Sequence, residues 1–451
     1  MKTLSIIPFS RECGNAEIAV DLPGSKSITN RAMILAALKS GTTKLTNALF
    51  SEDTHAMIEC LRELGFKIEA DESEKTISIR GNGGKIPRNR ATLYVATAGT
   101  TARFLTAMLA LCPDGEFELD GSPVMRKRPM KGLLDALKQL GCNFEFHGES
   151  DCFPFTMRTR GICKKTVEVD ASASSQILSA LMLIAPIVGL KIKLAGTTVS
   201  KPFLILTAKM IEQFGGEIRS RGSVWSSAET GYASKQRVYA IEPDATAASY
   251  FAVRAIANGV DSPKICVNNL QSESIQGDIK FYELLCENNF VAGAESDAGM
   301  HFANAGTPPA AELTLDFNAI SDTFLSLAAF VLLTKTAVTI TGIAHTRKQE
   351  SDRVHAMATE LAKIIGKKNV TETEDTLTII PPKNLAETLA KKSLPIAIDT
   401  YKDHRIAMCF GMLGTVDVLG NGKPWLAIND PECCAKTFPN FFEVLDAMRN
   451  H

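Results

Sequence analysis

Apolar positions along this 451-residue chain fall into a pattern that returns six times. Each instance is a short apolar strand, a loop of small and polar residues, and a helix-length run that is apolar on nearly every side. They are VDLPGSKSITNRAMILAAL from Val20, LYVATAGTTARFLTAMLAL from Leu93 and VEVDASASSQILSALMLIA from Val167. YAIEPDATAASYFAVRAIA from Tyr239, LTLDFNAISDTFLSLAAFV from Leu313 and IAIDTYKDHRIAMCFGMLG from Ile396 complete the set. Their starts lie roughly 72 to 83 residues apart, the signature of an internal structural repeat. A run apolar all round predicts a helix buried all round.

A second, amphipathic helix is predicted about 32 to 42 residues after each anchor. These begin at Ser51-Glu52-Asp53, Arg128-Pro129, Lys201-Pro202, Gly277-Asp278, Ser351-Asp352 and Phe438-Pro439. Proline suits the first helical position, and Ser or Asp accepts hydrogen bonds from free N–H groups there. Gly65, Gly141, Gly215 and Gly366 supply left-handed stops. Each unit therefore reads β-α-β-α plus one or two strands, an α/β fold. Six units divide three and three, which predicts two lobes with a cleft between them. The divide is expected near residues 235–245, after RGSVWSSAETGYASKQR. A parallel doubly wound sheet is the competing architecture, but no G-x-G-x-x-G follows a strand.

Composition narrows the function. Hydrophobic residues make up 45% and charged residues 22%, with a net charge of −1, so no broad basic field for nucleic acid is expected. Anion binding must come from a local cluster. Eleven cysteines lack C-x-x-C or Cys/His ligand spacing, Cys433–Cys434 being the one close pair. That fits a reduced compartment and no metal site. The apolar patch in MKTLSIIPFSREC is broken by Pro8 and is too short for a secretory signal. No apolar run is long enough to span a bilayer. A soluble, cytoplasmic protein is expected.

Helix N-termini favour anions, and here they carry Lys26, Arg31, Arg103, Arg128, Arg353, Arg405 and Lys436. Ser25, Ser27, Thr100, Ser174, Ser175 and Ser200 add hydroxyl donors. Any single Lys or Arg reads first as solvated surface charge. Seven at equivalent places in a repeat point instead to a convergent anion pocket. Asp322 opens an apolar helix, as a cap or as a base. Glu350 and Asp352 balance a helix dipole or do chemistry. His404 in the DHR triplet reads as a core or supporting histidine rather than a catalyst. Gly24-Ser25-Lys26-Ser27 is not a phosphate loop of the G-x-x-x-x-G-K-[ST] type, because Ala19 stands where glycine is needed.

Taken together, LPGSKSITNRA, AGTTARFL, RKRPMKGLLDAL, ASSQILSALM, VSKPF, ESDR, KDHRIAMCF and CCAKTFP run from residue 22 to 439. In that order they resemble the 5-enolpyruvylshikimate-3-phosphate synthase family over essentially the whole chain. The resemblance implies a two-lobe inside-out α/β barrel of six β-α-β-α-β-β units, three per lobe. Residues 23–241 would form the lobe that mainly binds shikimate 3-phosphate, and 1–22 with 242–451 the other. The implied reaction moves the enolpyruvyl group of phosphoenolpyruvate onto the 5-hydroxyl of shikimate 3-phosphate by addition and elimination, within the shikimate pathway. No metal or organic cofactor is implied, the partners are these small molecules alone, and the chain is expected to be a monomer. By motif, Lys26, Gly99, Arg128, Gln176, Arg353, Arg405 and Lys436 would hold phosphoenolpyruvate. Lys26, Ser27, Arg31, Ser174, Ser175, Gln176, Ser200, Asp322 and Gln349 would hold shikimate 3-phosphate. Asp322 would take the hydroxyl proton, and Glu350, with Lys26 nearby, would protonate the methylene carbon.

The sequence departs from the family pattern in places. Thr97 stands where many members have Asn, Phe104 where many have Pro, and Phe203 where many have Tyr. His345 and Gln349 replace the commoner Asn and Lys that touch shikimate 3-phosphate, with Lys348 one position earlier. Gly99 keeps its hydrogen where an alanine would crowd glyphosate, so the resemblance also implies a glyphosate target. The enolpyruvyl transferases acting on a UDP-amino sugar are the nearest alternative. They carry a Lys-Asn pair and a reactive loop cysteine, whereas this chain has Lys26-Ser27 and places Cys112 in an apolar helix. A non-catalytic anion sensor and a nucleotide kinase are further alternatives; the kinase lacks a phosphate loop, and a sensor has no need of Asp322 and Glu350.

Overall fold

The computed structural model describes residues 2–9, 17–171, 174–196, 201–257 and 263–449. Its strands form six sheets, five of four strands and one of three. The repeat is plainest from residue 90. Strand Arg90–Tyr94 pairs in parallel with Gly115–Asp120, and the apolar helix Gly99–Leu109 is the crossover that a parallel pair requires. The amphipathic helix Lys131–Gln139 then leads into strands Asn143–Phe146 and Phe155–Thr159, the latter closing antiparallel on Gly115–Asp120. The sheets that open at Thr166 and Glu312 repeat this order, first strand, second, fourth, third.

The first and fourth repeats exchange strands. Glu17–Val20 pairs in parallel with Lys264–Asn268, while Val238–Ala240 pairs in parallel with Ser40–Thr46. Each repeat thus gives its opening strand to the sheet of the other. In the last repeat Ile396–Ile398 and Leu426–Asn429 are parallel, and Thr3–Ser5 from the start of the chain adds antiparallel. The chain forms two compact units, Pro23–Glu242 and Met1–Leu22 with Pro243–His451.

Within each unit the apolar helices pack on one another. Helix Lys26–Leu38 touches Gly99–Leu109 and Ser175–Val188 in one unit; His404–Gly414 touches Phe324–Phe330 and Ala245–Ala252 in the other. Every residue from Ile28 to Leu38 is buried, as is every residue of Phe324–Phe330. This is the all-round burial that the apolar runs require. The amphipathic helices start and stop on the expected chemistry. Ser51 forms a capping box with Thr54, Asp352 accepts from the His355 N–H at 3.0 Å, and Gly65, Gly141, Gly215 and Gly366 take φ between 80° and 109°. Three starts shift. One helix begins at Lys131, past Pro129, Gly277–Ile279 is a 3₁₀ turn ahead of helix Lys280–Glu287, and the last helix begins at Phe441, past Pro439. Among the described residues no helix is long and apolar enough to cross a membrane.

Candidate active site

In the unit Pro23–Glu242 the anchor loops deliver Lys26, Arg31, Gly99, Arg103 and Gln176. Lys26 opens its helix with Nζ 3.3 Å from Asp53 Oδ2, both side chains largely buried. The Ser51 side chain caps its own helix, which leaves the Asp53 carboxylate for the lysine. Arg31 sits one turn further on and is 2% exposed. Its Nε donates to Thr207 Oγ1 at 2.8 Å, Nη1 to the Ser27 carbonyl at 2.9 Å and Nη2 to Ser179 Oγ at 3.4 Å. The Phe104 ring lies 5.1 Å from its guanidinium carbon and the Phe203 ring 5.8 Å. Burial pushes this guanidinium down to about 9, and the two ring faces work against that loss of charge.

Gly99 starts its helix beside a small polar cluster. Arg103 donates to the Gly99 carbonyl at 3.0 Å, to Gln176 Oε1 at 3.1 Å and to the Pro129 carbonyl at 3.1 Å. Gln176 Nε2 donates to Thr100 Oγ1 at 3.2 Å. A Cβ on Gly99 would lie 2.9 Å from Nη1 of both Arg103 and Arg128, so Gly99, Arg103, Arg128 and Gln176 share one spot. Ser174 caps the helix Ser175–Val188, its Oγ accepting from Gln176 N at 3.2 Å, and Ser175 is buried. Ser200 lies outside the described residues. Cys112 is buried in the turn after helix Gly99–Leu109 rather than inside it, because Pro113 cannot continue the helix.

In the other unit Arg353 is the hub. Its Nε meets Asp403 Oδ2 at 2.8 Å, its Nη1 meets Asp322 Oδ1 at 2.8 Å and its Nη2 meets Glu350 Oε2 at 3.2 Å. Nη1 also donates to Gln349 Oε1. The second Asp322 oxygen accepts from Arg405 Nη2 at 2.9 Å, and the second Glu350 oxygen accepts from Lys436 Nζ at 2.8 Å. Asp322, Gln349, Glu350, Arg353, Arg405 and Lys436 are therefore one connected network. Burial works against the Arg353 charge, but Asp403, Asp322 and Glu350 more than offset it and hold the guanidinium above its ordinary value. Arg405 is raised in the same way, against burial, by Asp322 and Tyr250.

Asp322 is not a helix cap. The helix begins at Phe324, and both carboxylate oxygens face arginines. His345 Nε2 lies 2.8 Å from Ser321 Oγ, and burial lowers the pKa of its ring. Lys348 is exposed and His404 is buried.

Sequence reasoning missed several groups. Asp53, Asp403 and Tyr250 hold Lys26, Arg353 and Arg405, and the DHR triplet was the available signal for Asp403. Asp278 is the other omission. Its side chain bonds Thr246 Oγ1, and burial together with the nearby Asp322 charge pushes its carboxyl up to about 7. Among the described residues no group of three His, Cys, Asp or Glu side chains could hold a metal ion.

The family model for EPSP synthase (3-phosphoshikimate 1-carboxyvinyltransferase) matches residues 12–445. A 3-phosphoshikimate 1-carboxyvinyltransferase of Opitutus terrae is 42% identical, over 99% of this chain and 97% of the relative. Another, of a Marinomonas species, is 36% identical over 100% of both chains. Among solved structures, an EPSP synthase from Acinetobacter baumannii superimposes with a TM-score of 0.76 at 24% identity, covering 99% of this chain and 98% of that one. The enolpyruvyl transferase NikO from Streptomyces tendae gives 0.73 at 13% identity, covering 99% and 97%. The likeness to both structures is one of fold, the two-lobe inside-out α/β architecture. With a family model spanning nearly its whole length and relatives above one-third identity end to end, the chain belongs to the EPSP synthase (3-phosphoshikimate 1-carboxyvinyltransferase) family.

Proposed function

We propose that this protein transfers the enolpyruvyl group of phosphoenolpyruvate to the 5-hydroxyl of shikimate 3-phosphate, releasing phosphate, on the route to chorismate and aromatic amino acids. The observation that carries the reading is the network in which two carboxylates, Asp322 and Glu350, are each gripped by two cations. Addition needs a base for the hydroxyl, an acid for the methylene carbon, and positive charge for a carboxylate and a phosphate. Asp322 accepts the hydroxyl proton as O5 bonds to C2 of phosphoenolpyruvate, while Glu350 delivers a proton to C3. The tetrahedral intermediate then returns a C3 proton to the Glu350 carboxylate, the bond from C2 to the phosphate oxygen breaks, and phosphate departs with that electron pair.

The pairing suggests why the base is active only with substrate. Phosphoenolpyruvate competes with Asp322 for Arg353 and Arg405, and a carboxylate that loses cationic partners gains proton affinity. Lys26, Arg128 and Lys436 complete the charge around that substrate, with Gly99 and Gln176 beside Arg128. Ser27, Ser174, Ser175, Ser200 and Gln349 contact shikimate 3-phosphate. Arg31 uses three of its five N–H groups within its own unit, supports Ser27 through the backbone carbonyl and turns the remaining donors to shikimate 3-phosphate. The protein works as a cytoplasmic monomer without metal or organic cofactor, and glyphosate competes with phosphoenolpyruvate. Phosphate release that requires both substrates tests the reading. Release with a UDP-amino sugar as acceptor instead, or no release with shikimate 3-phosphate, overturns it.

A further inference from the structure

Cys433 and Cys434 take no part in this chemistry, yet they lie in the 3₁₀ turn Pro431–Lys436 that presents Lys436 to Glu350. They are adjacent in that turn, and Cys433 together with burial pushes the Cys434 thiol up. Cys433 is half-buried, while Cys434 is 1% exposed with its Sγ 3.9 Å from the His404 carbonyl, next to Arg405. The Cys434 carbonyl accepts from Thr437 N at 3.1 Å and Phe438 N at 2.9 Å, so this residue anchors the exit of the turn.

Two adjacent thiols in one turn, one half-buried and one buried, suit a reagent that bonds both sulfurs through a single atom. A disulfide between them would demand a Cβ separation of about 3.5–4.5 Å. Successive side chains of a helical turn diverge, so that bond would break the turn. An arsenic atom set between the sulfurs lets them stay further apart.

We infer that Cys433 and Cys434 form a chelating dithiol that captures trivalent arsenicals of the RAs(OH)₂ type and thereby disables Lys436. The Cys433 sulfur bonds to arsenic and displaces one hydroxyl as water, the thiol supplying the proton. Cys434 repeats the step from within the same turn and releases a second water. No oxidant or reductant is consumed. Because the second bond is intramolecular, the chelate is favoured by about 10²-fold or more over a single-thiol adduct. Tethering both sulfurs moves the turn and withdraws the Lys436 ammonium from Glu350.

The test uses phenylarsine oxide on the full-length protein. One phenylarsenic group per chain should appear on the peptide containing Cys433 and Cys434, with loss of two titratable thiols. Phosphate release should fall with the same dose dependence and return with 2,3-dimercaptopropanol but not with equimolar 2-mercaptoethanol. Cys433→Ser should keep its turnover and raise the half-inhibitory concentration by about 10²-fold. The loss of phosphate release rests on the enolpyruvyl-transfer reading; the mapped adduct does not, so the two fail separately. Arsenic mapped only to other cysteines of the chain, inhibition of Cys433→Ser at the wild-type dose, or a full adduct with undiminished phosphate release would each overturn the inference.

Discussion

Arg353 shows how single residues divide the labour. It is 2% exposed and faces Asp403, which is fully buried, as well as Asp322 and Glu350. Asp403→Asn keeps a capping oxygen for the helix His404–Gly414 but removes the buried countercharge. Stability should drop toward the lower end of the about 3–5 kcal/mol typical of a broken buried pair, since two other acids remain. Urea unfolding midpoints measure this, and an unchanged midpoint would refute it. Asp322→Asn should behave differently. Binding of shikimate 3-phosphate should persist while turnover falls about 10²- to 10⁴-fold, the usual cost of losing a general base. A variant that turns over near the wild-type rate would remove Asp322 from the role. At Gly99 an added methyl meets two guanidinium nitrogens at 2.9 Å, so Arg103 and Arg128 must both give way. Gly99→Ala should therefore raise KM for phosphoenolpyruvate and raise the glyphosate inhibition constant further, because the inhibitor is the longer ligand. Equal shifts in the two constants would count against that geometry.

At the scale of elements, helix starts do two jobs. Some are held by their own caps, as at Ser51 and Asp352, and some are held by side chains from another segment. The helix Ala245–Ala252 has both, since its own cap Asp244 accepts from Ala247 N at 2.9 Å and side chains of another segment add to it. Gln276 Oε1 accepts from Ala245 N at 3.0 Å, its Nε2 donates to the Pro243 carbonyl at 2.8 Å, and Asp278 bonds Thr246. The Asp278 carboxyl, with its pKa raised by burial and by Asp322, binds a proton in the folded state that the unfolded chain has released. Its contribution is fully present below the ordinary carboxylate range and is lost as pH rises through about 7. Asp278→Asn cannot titrate, so its melting temperature relative to wild type should climb from about pH 5 to about pH 8. A constant difference across that range would show that Asp278 ionises normally. Nothing in the local sequence QGD announces this link, because its partner Thr246 sits thirty-two residues earlier in the chain.

For the whole molecule, the exchange of opening strands leaves every sheet complete within its own unit. Strand Val238–Ala240 pairs with Ser40–Thr46 inside Pro23–Glu242, which is also continuous in sequence. A fragment spanning 23–242 should fold with a single cooperative transition and show no phosphate release, since Asp322, Glu350 and Arg353 are absent from it. A fragment beginning at 243 lacks Glu17–Val20, the partner of Lys264–Asn268, and Thr3–Ser5, the partner of Leu426–Asn429. It should be less stable and prone to aggregate through those open edges. Circular dichroism melts of the two fragments decide the matter, and two equally stable fragments would contradict it.

The six-fold recurrence, the buried character of the anchor helices, the glycine stops and the starts at Ser51, Lys201 and Asp352 were legible from the chain alone. Each depends on residues within one or two helical turns, where periodicity and backbone chemistry act directly. The starts at Lys131, Lys280 and Phe441 lay beyond the predicted positions. The cationic residues at helix starts were legible too, because their positions in the repeat coincide. Tertiary structure decided the rest. Whether Asp322 capped a helix or faced two arginines could not follow from AISDTF, because either role suits an acid in that loop. Phe104 and Phe203 read as departures from a family pattern, but their rings lie 5.1 and 5.8 Å from the Arg31 guanidinium carbon. Asp53 passed for a helix-start residue until Ser51 took the cap and left it for Lys26. The exchange of strands between the first and fourth repeats was equally invisible, since parallel neighbours are chosen by packing over some two hundred residues of chain. Local rules fix what a segment becomes, but the partner of a charge or a strand is set by distance in space, and only the folded chain defines that distance.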